Sequence, residues 1–145
     1  MPDPASSPRA TILIVDDDAE TRSLFRLMLA RLNAGTHFSA GTHFSVRFLE
    51  AATGQQALAI AEAERPDVIL LDLMLPDLSG LDVCAYVRRL PACRTCKIVV
   101  VSAMHNRREA STAAGADDFW SKPVGPHKLR NGVLSLLTGG LPAPA

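Results

Sequence analysis

The strongest constraint on the fold is a short apolar run that ends on an acid, in the stretch RPDVILLDLMLPDLSG beginning at Arg65. Four apolar residues at 68–71 precede Asp72, and a turn with Pro76 and Gly80 follows. Such a run predicts a strand that is buried on both faces of a parallel sheet. Because open α/β sheets bind ligands at the carboxyl ends of their strands, we interpret Asp72 as the reactive residue.

Strand and helix patterns alternate along the rest of the chain. Further strands are predicted at 11–15, 46–51, 97–101 and 118–121, and helices at 18–32, 53–65, 81–90, 104–114 and 126–137. Asp18 is expected to cap the first helix, and Thr53 and Gln56 form a capping box at the second. Five strands alternating with five helices predict an α/β fold, a doubly wound parallel sheet with helices on both faces.

Polar residues follow four of the predicted strands, at the edge where the carboxyl ends of parallel strands meet. Asp16 and Asp17 follow the first strand, Asp72 the third, Ser102 the fourth and Lys122 the fifth. Crowded carboxylates repel one another unless a cation joins them, and carboxylate oxygens suit Mg²⁺. A lysine and a hydroxyl beside them would form an electrostatic clamp for a phosphoryl group, which an aspartate can accept. These residues predict a site that forms an aspartyl-phosphate on Asp72.

Five short motifs occur in order at the strand ends: VDD at 15–17, DxxxP at 72–76 with Gly80, SA at 102–103, GADD at 115–118 and KP at 122–123. This set resembles the bacterial response-regulator receiver domain over residues 11–137. The resemblance implies a flavodoxin-like (βα)₅ fold with strand order 2-1-3-4-5. It also implies a phosphoacceptor in a two-component or phosphorelay system, rather than an enzyme acting on a separate metabolite. The phosphodonor would be a sensor histidine kinase or a histidine phosphotransfer protein.

The resemblance also implies a role for each residue of the acidic cluster. Asp72 corresponds to the phosphoacceptor. Asp17 corresponds to the direct ligand of Mg²⁺ or Mn²⁺, and Asp16 to a ligand that acts largely through water. Met74 would lend its backbone carbonyl to the metal.

Three other residues match the part of the family that responds to phosphorylation. Ser102 would hydrogen-bond the phosphoryl oxygen, and Lys122 would pair with it. Phe119 corresponds to an aromatic switch that turns inward and changes the face formed by the fourth helix, fifth strand and fifth helix. That face would bind a downstream protein, or a second copy of the chain in a homodimer. Trp120 should point to the opposite face of the sheet from Phe119, because side chains alternate along a strand.

The ends of the chain and one internal segment fall outside the expected domain. Residues 1–10 and 138–145 are expected to form flexible tails. Residues 34–45 read AGTHFS twice, which we interpret as a tandem loop insertion at the edge opposite the site. The interval between Ser102 and Lys122 is shorter than is usual in the family, which leaves open whether this region keeps the usual output face. The chain ends soon after Lys122 and resembles a single-domain, chemotaxis-type regulator.

Composition argues against several other classes of protein. Basic and acidic residues number 15 each, which does not favour nucleic-acid binding driven by net charge. Neither a membrane span nor a signal-peptide core is present in the sequence, so a cytoplasmic protein without membrane attachment is expected. Three cysteines do not make a disulfide framework. We interpret the CxxC pair at Cys93 and Cys96 as a chance loop pair rather than a redox or zinc site.

Two other functions are compatible with parts of the sequence. One is a receiver-fold adaptor that binds a partner without phosphorylation, although the acidic pair and the lysine argue against it. The other is an aspartate-nucleophile phosphohydrolase. Those enzymes resemble this chain in using a strand-end aspartate, but they place a second aspartate two residues later as acid and base. Here that position is Met74.

Overall fold

Strands and helices alternate through residues 9–34 and 45–138, which are the residues that the computed structural model describes. The five strands are Arg9–Val15 (β1), Ser45–Ala51 (β2), Val68–Leu71 (β3), Lys97–Ser102 (β4) and Asp118–Ser121 (β5). The helices that follow them are Ala19–Leu29 (α1), Gly54–Glu64 (α2), Gly80–Arg89 (α3), Arg108–Ala113 (α4) and Pro126–Thr138 (α5). Short 3₁₀ turns cover Ala30–Ala34 and Pro91–Cys93.

The strands form one parallel sheet in the order β2-β1-β3-β4-β5, which confirms the predicted fold class and strand order. All four residues of β3 are buried, as the apolar run predicted for a strand covered on both faces. Right-handed crossovers from each strand to the next place helices on both sides of the sheet. The carboxyl ends of all five strands therefore lie along one edge.

Two apolar clusters fill the two sides of the sheet. Helices α1 and α5 cover one side, where Phe25 and Leu29 of α1 pack with Leu129 and Val133 of α5. Helices α2 and α3 cover the other side with buried alanine, valine and cysteine side chains. Adjacent residues of β5 divide between the two cores, since Phe119 belongs to the α2–α3 side while the next residue belongs to the α1–α5 side. This alternation confirms the prediction for Trp120.

Three elements differ by two or more residues at one end from the bounds predicted from the sequence. Strand β1 begins at Arg9 rather than at residue 11, because Arg9 and Ala10 already pair with β2. Helix α1 ends at Leu29, and the chain continues in the 3₁₀ turn to Ala34. Helix α4 covers only Arg108–Ala113 of the predicted 104–114, since the polar residues before it have few apolar side chains to pack an additional turn.

The predicted helix caps are present, with one change of partner. Asp18 Oδ1 accepts a hydrogen bond from Glu20 N at 3.2 Å. Thr53 Oγ1 accepts one from Gln56 N at 3.1 Å. The Gln56 side chain reaches back to the N–H of Ala52 rather than to that of Thr53, so the box closes one residue earlier than expected.

The predicted tails and the duplicated loop lie largely outside the described residues, which omit 1–8, 35–44 and 139–145. Within the described ranges, none of the helices has the length and apolar character needed to cross a membrane.

Candidate functional site

The acidic residues predicted to converge do so at the carboxyl edge of the sheet. Asp16 and Asp17 follow β1, and Asp72 follows β3, which pairs with β1. One carboxylate oxygen from each of the three aspartates lies within 4.8 Å of the others. Backbone hydrogen bonds fix this arrangement, because Asp72 N donates to Val15 O at 2.9 Å.

Lys122, which follows β5, joins two of these carboxylates. Its Nζ donates to Asp16 Oδ2 at 2.6 Å and to Asp72 Oδ2 at 3.0 Å. Burial lowers the pKa of the Lys122 ammonium, but the hydrogen bonds to Asp16 and then to Asp72 outweigh that effect, so its pKa is raised overall. Because its pKa is raised, the ammonium stays charged at neutral pH and offsets part of the negative charge of the three aspartates. The peptide bond from Lys122 to Pro123 is cis.

The three aspartates differ in how fully their oxygens are used. The Asp16 side chain is buried, and its Oδ1 accepts a hydrogen bond from Asp18 N at 2.9 Å. Asp17 is exposed, and its carboxylate makes no hydrogen bond with any other described residue. Oxygen donors that combine two buried carboxylates with one open to water fit Mg²⁺, which binds a few carboxylates and keeps several waters. The donor set is therefore compatible with the metal that the sequence predicted.

The turn after Asp72 brings the backbone of Met74 next to the Asp72 carboxylate. Met74 N donates to Asp72 Oδ1 at 3.3 Å, while the Met74 side chain is 63% exposed. Gly80 N donates to Leu73 O at 2.8 Å. A Cβ at Gly80 would lie 2.6 Å from Leu73 Cα and would collide with the Asp72 carbonyl, so only glycine permits this approach.

Asp77 ties that turn to the start of α2. Its carboxylate accepts hydrogen bonds from Gly54 N at 2.7 Å and Gln55 N at 2.9 Å. These backbone N–H groups of Gln55 and Gly54 hold the pKa of the Asp77 carboxyl below its usual value. Sequence reasoning did not identify this contact, although an aspartate in a turn is a frequent cap for a neighbouring helix.

Ser102 lies at the end of β4 and is fully buried. Its Oγ accepts a hydrogen bond from Met104 N at 3.2 Å, and its carbonyl accepts one from Lys122 N at 2.9 Å. The structure shows no hydrogen bond between Ser102 and Asp72. Ser102 therefore stands at the predicted edge of the sheet, linked to the lysine through the backbone.

The ring of Phe119 lies inward, with the residue only 2% exposed. Arg108 of α4 covers it, since the guanidinium carbon lies 5.6 Å from the ring centroid. Arg108 also donates from Nη2 to Phe119 O at 2.8 Å and from Nη1 to Asp118 Oδ1 at 3.3 Å. The Asp118 Oδ2 atom accepts a hydrogen bond from Trp120 Nε1 at 2.9 Å. This network was not expected, because nothing in the sequence indicates that Arg108 and Phe119 meet.

The CxxC pair is part of the core. Cys84, Cys93 and Cys96 are all buried and free. Burial raises the pKa of the Cys84 thiol to about 11 and that of Cys96 to about 12, so neither forms a thiolate readily at neutral pH. Cys93 Sγ donates to Ala61 O at 3.3 Å. The structure thus places both cysteines of the pair, expected from the sequence to lie together by chance in a loop, among the packed residues of the α2–α3 side.

Comparison with known proteins agrees with the observed fold. The family model described as the response regulator receiver domain matches residues 12–134. The alkaline phosphatase synthesis transcriptional regulatory protein SphR of Synechococcus elongatus is 32% identical over 144 residues, which cover 98% of this chain and 54% of SphR. The chain thus spans about half the length of that relative.

Solved structures with a similar fold are also receiver domains. The receiver domain of sensor histidine kinase PA1611 from Pseudomonas aeruginosa, with magnesium coordinated in its active-site cleft, has a TM-score of 0.73 and 28% identity, covering 90% of this chain and 98% of that one. A CheY-like response regulator receiver domain protein from Methanospirillum hungatei has a TM-score of 0.70 and 28% identity, covering 92% and 96%. The chain belongs to the response regulator receiver domain family of two-component signalling systems.

Proposed function

We propose that the chain accepts a phosphoryl group on Asp72 from a phosphohistidine, with the help of Mg²⁺ or Mn²⁺. The observation that carries this proposal is the convergence of three aspartates on one edge of the sheet, with Lys122 bonded to Asp16 and Asp72. A carboxylate nucleophile next to a lysine and two further carboxylates is the set of groups that phosphoryl transfer to an aspartate requires.

The residues that would hold the metal are Asp17 directly, Asp16 largely through water, the Asp72 carboxylate and the Met74 carbonyl. When bound, the cation would neutralise negative charge that develops on the phosphoryl oxygens. The chain's own groups do the rest. An Asp72 carboxylate oxygen attacks phosphorus, the bond from phosphorus to the donor imidazole nitrogen breaks, and that nitrogen keeps the electron pair and takes up a proton.

Lys122 would stabilise negative charge on Asp72 before the transfer and on the phosphoryl oxygens after it. In the structure its ammonium bonds one oxygen of Asp72, which is the residue that would carry the phosphoryl group. A phosphoryl group at that position presents additional oxygens to the same ammonium, so Lys122 favours the phosphorylated product and the charged transition state. The Ser102 hydroxyl would donate a further hydrogen bond, since its oxygen only accepts in the contact with Met104 N.

Phosphorylation would change the contact between the Arg108 guanidinium and the ring of Phe119. Because the ring is already buried, a change at Ser102 and Lys122 would alter the β4–α4 connection and hence the contacts of Arg108 with Phe119 and Asp118. This would change the surface formed by α4, β5 and α5, to which a downstream protein or a second copy of the chain could bind.

Helix α1 offers the phosphodonor a surface beside the site. It begins at the acidic residues and exposes Leu24 and Leu27, which are 48% and 71% accessible. Large apolar side chains exposed side by side on one helix are typical of a surface that docks another helix. The phosphohistidine of a kinase or phosphotransfer protein would reach Asp72 from this side.

The test is incubation of the purified chain with acetyl phosphate and Mg²⁺, followed by measurement of its intact mass. We expect one added phosphoryl group in the wild-type chain, none with Asp72→Asn and none with a chelator present. Asp67→Asn is a matched control, because Asp67 is an aspartate of the same stretch that bonds Thr11 N at the opposite end of β3. Absence of a mass gain, or a gain that persists in Asp72→Asn, would refute the proposal.

Two further measurements, combined with this one, distinguish the alternative functions. The exposed thioether of Met74 has no proton to exchange, so the position two residues after Asp72 cannot supply the acid and base of an aspartate-nucleophile phosphohydrolase. Sustained turnover of a phosphate ester would nevertheless identify such an enzyme. Partner binding that is unchanged by Asp72→Ala, without a mass gain in the wild-type chain, would identify a phosphorylation-independent adaptor.

A further inference from the structure

The backbone of Asp16 is held by a residue outside the charge cluster. Asp16 N donates to Ala51 O at 3.1 Å within the sheet, and the two carboxylate oxygens are used by Asp18 N and Lys122 Nζ. The Asp16 carbonyl lies beyond the end of β1 and accepts a hydrogen bond from Arg22 Nη1 at 2.6 Å. This side chain from the first turns of α1 therefore fixes the peptide that joins the two acidic residues.

Arg22 is itself fixed by an acid on the edge strand. Its Nε donates to Glu50 Oε1 at 3.0 Å. Two nitrogens of the same guanidinium therefore bond different groups, Nε the Glu50 carboxylate and Nη1 the Asp16 carbonyl. Glu50 Oε2 accepts a second hydrogen bond from Arg26 Nη1 at 2.6 Å. The Arg22 side chain is 16% exposed, whereas that of Arg26 is 51% exposed. The planar guanidinium holds these two acceptors with separate nitrogens in a fixed geometry, which the shorter and more flexible side chain of lysine does not provide.

We propose that Arg22 is a positioning residue for the metal ligands of the site, an inference that rests on the proposed function. The proposal follows from the surroundings of Asp17. Its carboxylate has no hydrogen-bond partner among the described residues, so its position depends on the backbone that carries it. The peptide that precedes Asp17 begins with the carbonyl that Arg22 holds. Loss of this contact would release the orientation of Asp17 and Asp16 together.

Charge and geometry have opposite consequences here, which makes the inference testable. A guanidinium beside the acidic cluster repels Mg²⁺, so removal of its charge alone would tighten metal binding. Loss of positioning would weaken metal binding, as the loss of groups that orient metal ligands usually does. Arg22→Lys keeps the charge and removes the two-point contact, and it therefore isolates the geometric effect.

The experiment measures Mg²⁺ affinity by isothermal titration calorimetry for the wild-type chain, Arg22→Lys and Arg26→Lys. Arg26→Lys is the matched control, because Arg26 pairs with the same Glu50 but does not contact Asp16. We expect about 10-fold weaker Mg²⁺ binding in Arg22→Lys and unchanged binding in Arg26→Lys. Glu50→Gln keeps Arg22 but weakens its anchor, so we expect a smaller loss of affinity in the same direction.

A second readout needs no metal. In chelator, the Asp18 amide hydrogen, which is bonded to Asp16 Oδ1, should exchange faster in Arg22→Lys than in the wild-type chain or Arg26→Lys. Equal exchange rates and equal Mg²⁺ affinities in the two lysine variants would overturn the inference. A wild-type chain that binds no Mg²⁺ would instead refute the metal site of the proposed function, while the amide exchange would still decide whether Arg22 holds the Asp16–Asp17 peptide.

Discussion

Removal of the Lys122 charge is expected to make the stability of the chain depend on Mg²⁺. Lys122→Met keeps most of the length and apolar stem of the side chain but lacks the ammonium. Two contacts disappear, the one of 2.6 Å to Asp16 and the one of 3.0 Å to Asp72. The oxygens of Asp16, Asp17 and Asp72, which lie within 4.8 Å of one another, then face each other without that cation.

The size of the effect follows from how deeply each partner is buried. The side chains of Asp16 and Asp72 are 3% and 10% exposed, but that of Lys122 is 23% exposed. Removal of one partner from a fully buried pair costs about 3–5 kcal/mol. Because water reaches Lys122 in part, we expect a loss of about 2–3 kcal/mol in the absence of divalent ions. A ligand at 100 times its Kd returns about 2.7 kcal/mol, so saturating Mg²⁺ should restore most of the loss.

The assay is urea unfolding of the wild-type chain and Lys122→Met, in chelator and over a series of Mg²⁺ concentrations. The variant should be less stable in chelator and should gain more from Mg²⁺ than the wild-type chain, since the lysine no longer competes for the same oxygens. Lys128→Met, an exposed lysine of α5, is the control and should behave as wild type. Equal stability of Lys122→Met and wild type in chelator, or a difference that Mg²⁺ does not reduce, would refute this account of the cluster.

Three further perturbations test other parts of the structure. Gly132→Ala places a Cβ 2.5 Å from Cη2 of the buried Trp120 ring, and overpacking of about 1–3 kcal/mol should exceed the helix-propensity gain of about 1 kcal/mol. We expect net destabilisation in urea with altered tryptophan emission, whereas stabilisation would show that the ring can shift. The pKa of Asp77 is lower in the folded chain than its ordinary value of 3.8, so its contribution to stability is present above that pH and is lost as pH falls through the folded pKa. Asp77→Asn should therefore flatten the acid limb of a pH series of urea unfolding curves, and an unchanged limb would contradict this. The three buried cysteines should resist a thiol-specific reagent at pH 8 in the folded chain and react fully in urea, while rapid labelling of the native chain would contradict their burial.

The sheet and the convergence of the site were predictable from the sequence for a simple physical reason. A parallel strand that is buried on both faces is apolar along its buried length, so the apolar runs at 68–71 and 98–101 are recognisable in the sequence. A polar residue that follows such a run marks the point where the strand leaves the core. Parallel pairing then brings all these points to one edge, whatever their separation in the chain. The positions of Asp16, Asp72 and Lys122 follow from these rules.

The groups that support the site were not predictable by the same rules. Arg22 meets the Asp16 carbonyl, and Arg108 meets the ring of Phe119, through side-chain directions that depend on how a helix packs on the sheet. Arginines on exposed helix faces are common, and no periodicity distinguishes those that bond a distant carbonyl. Helix α4 was misjudged in length for a related reason, since a polar segment with few apolar anchors gives no clear signal of where the first turn forms.

The two adjacent aspartates have different surroundings in the structure, in line with the different roles that the family resemblance implies for them. Asp16 is buried and accepts a hydrogen bond on each carboxylate oxygen, while Asp17 is exposed and its carboxylate has no hydrogen-bond partner within the described structure. A metal that enters from solvent would therefore meet the open Asp17 carboxylate, whereas each carboxylate oxygen of Asp16 already accepts a hydrogen bond, from Asp18 N or from Lys122 Nζ. This asymmetry supports the proposal that Asp17 binds the metal directly and that Asp16 acts largely through water. It also means that the Asp17 carboxylate is the least restrained of the three. Its direction then depends on the Asp16–Asp17 peptide, which Arg22 holds through the Asp16 carbonyl.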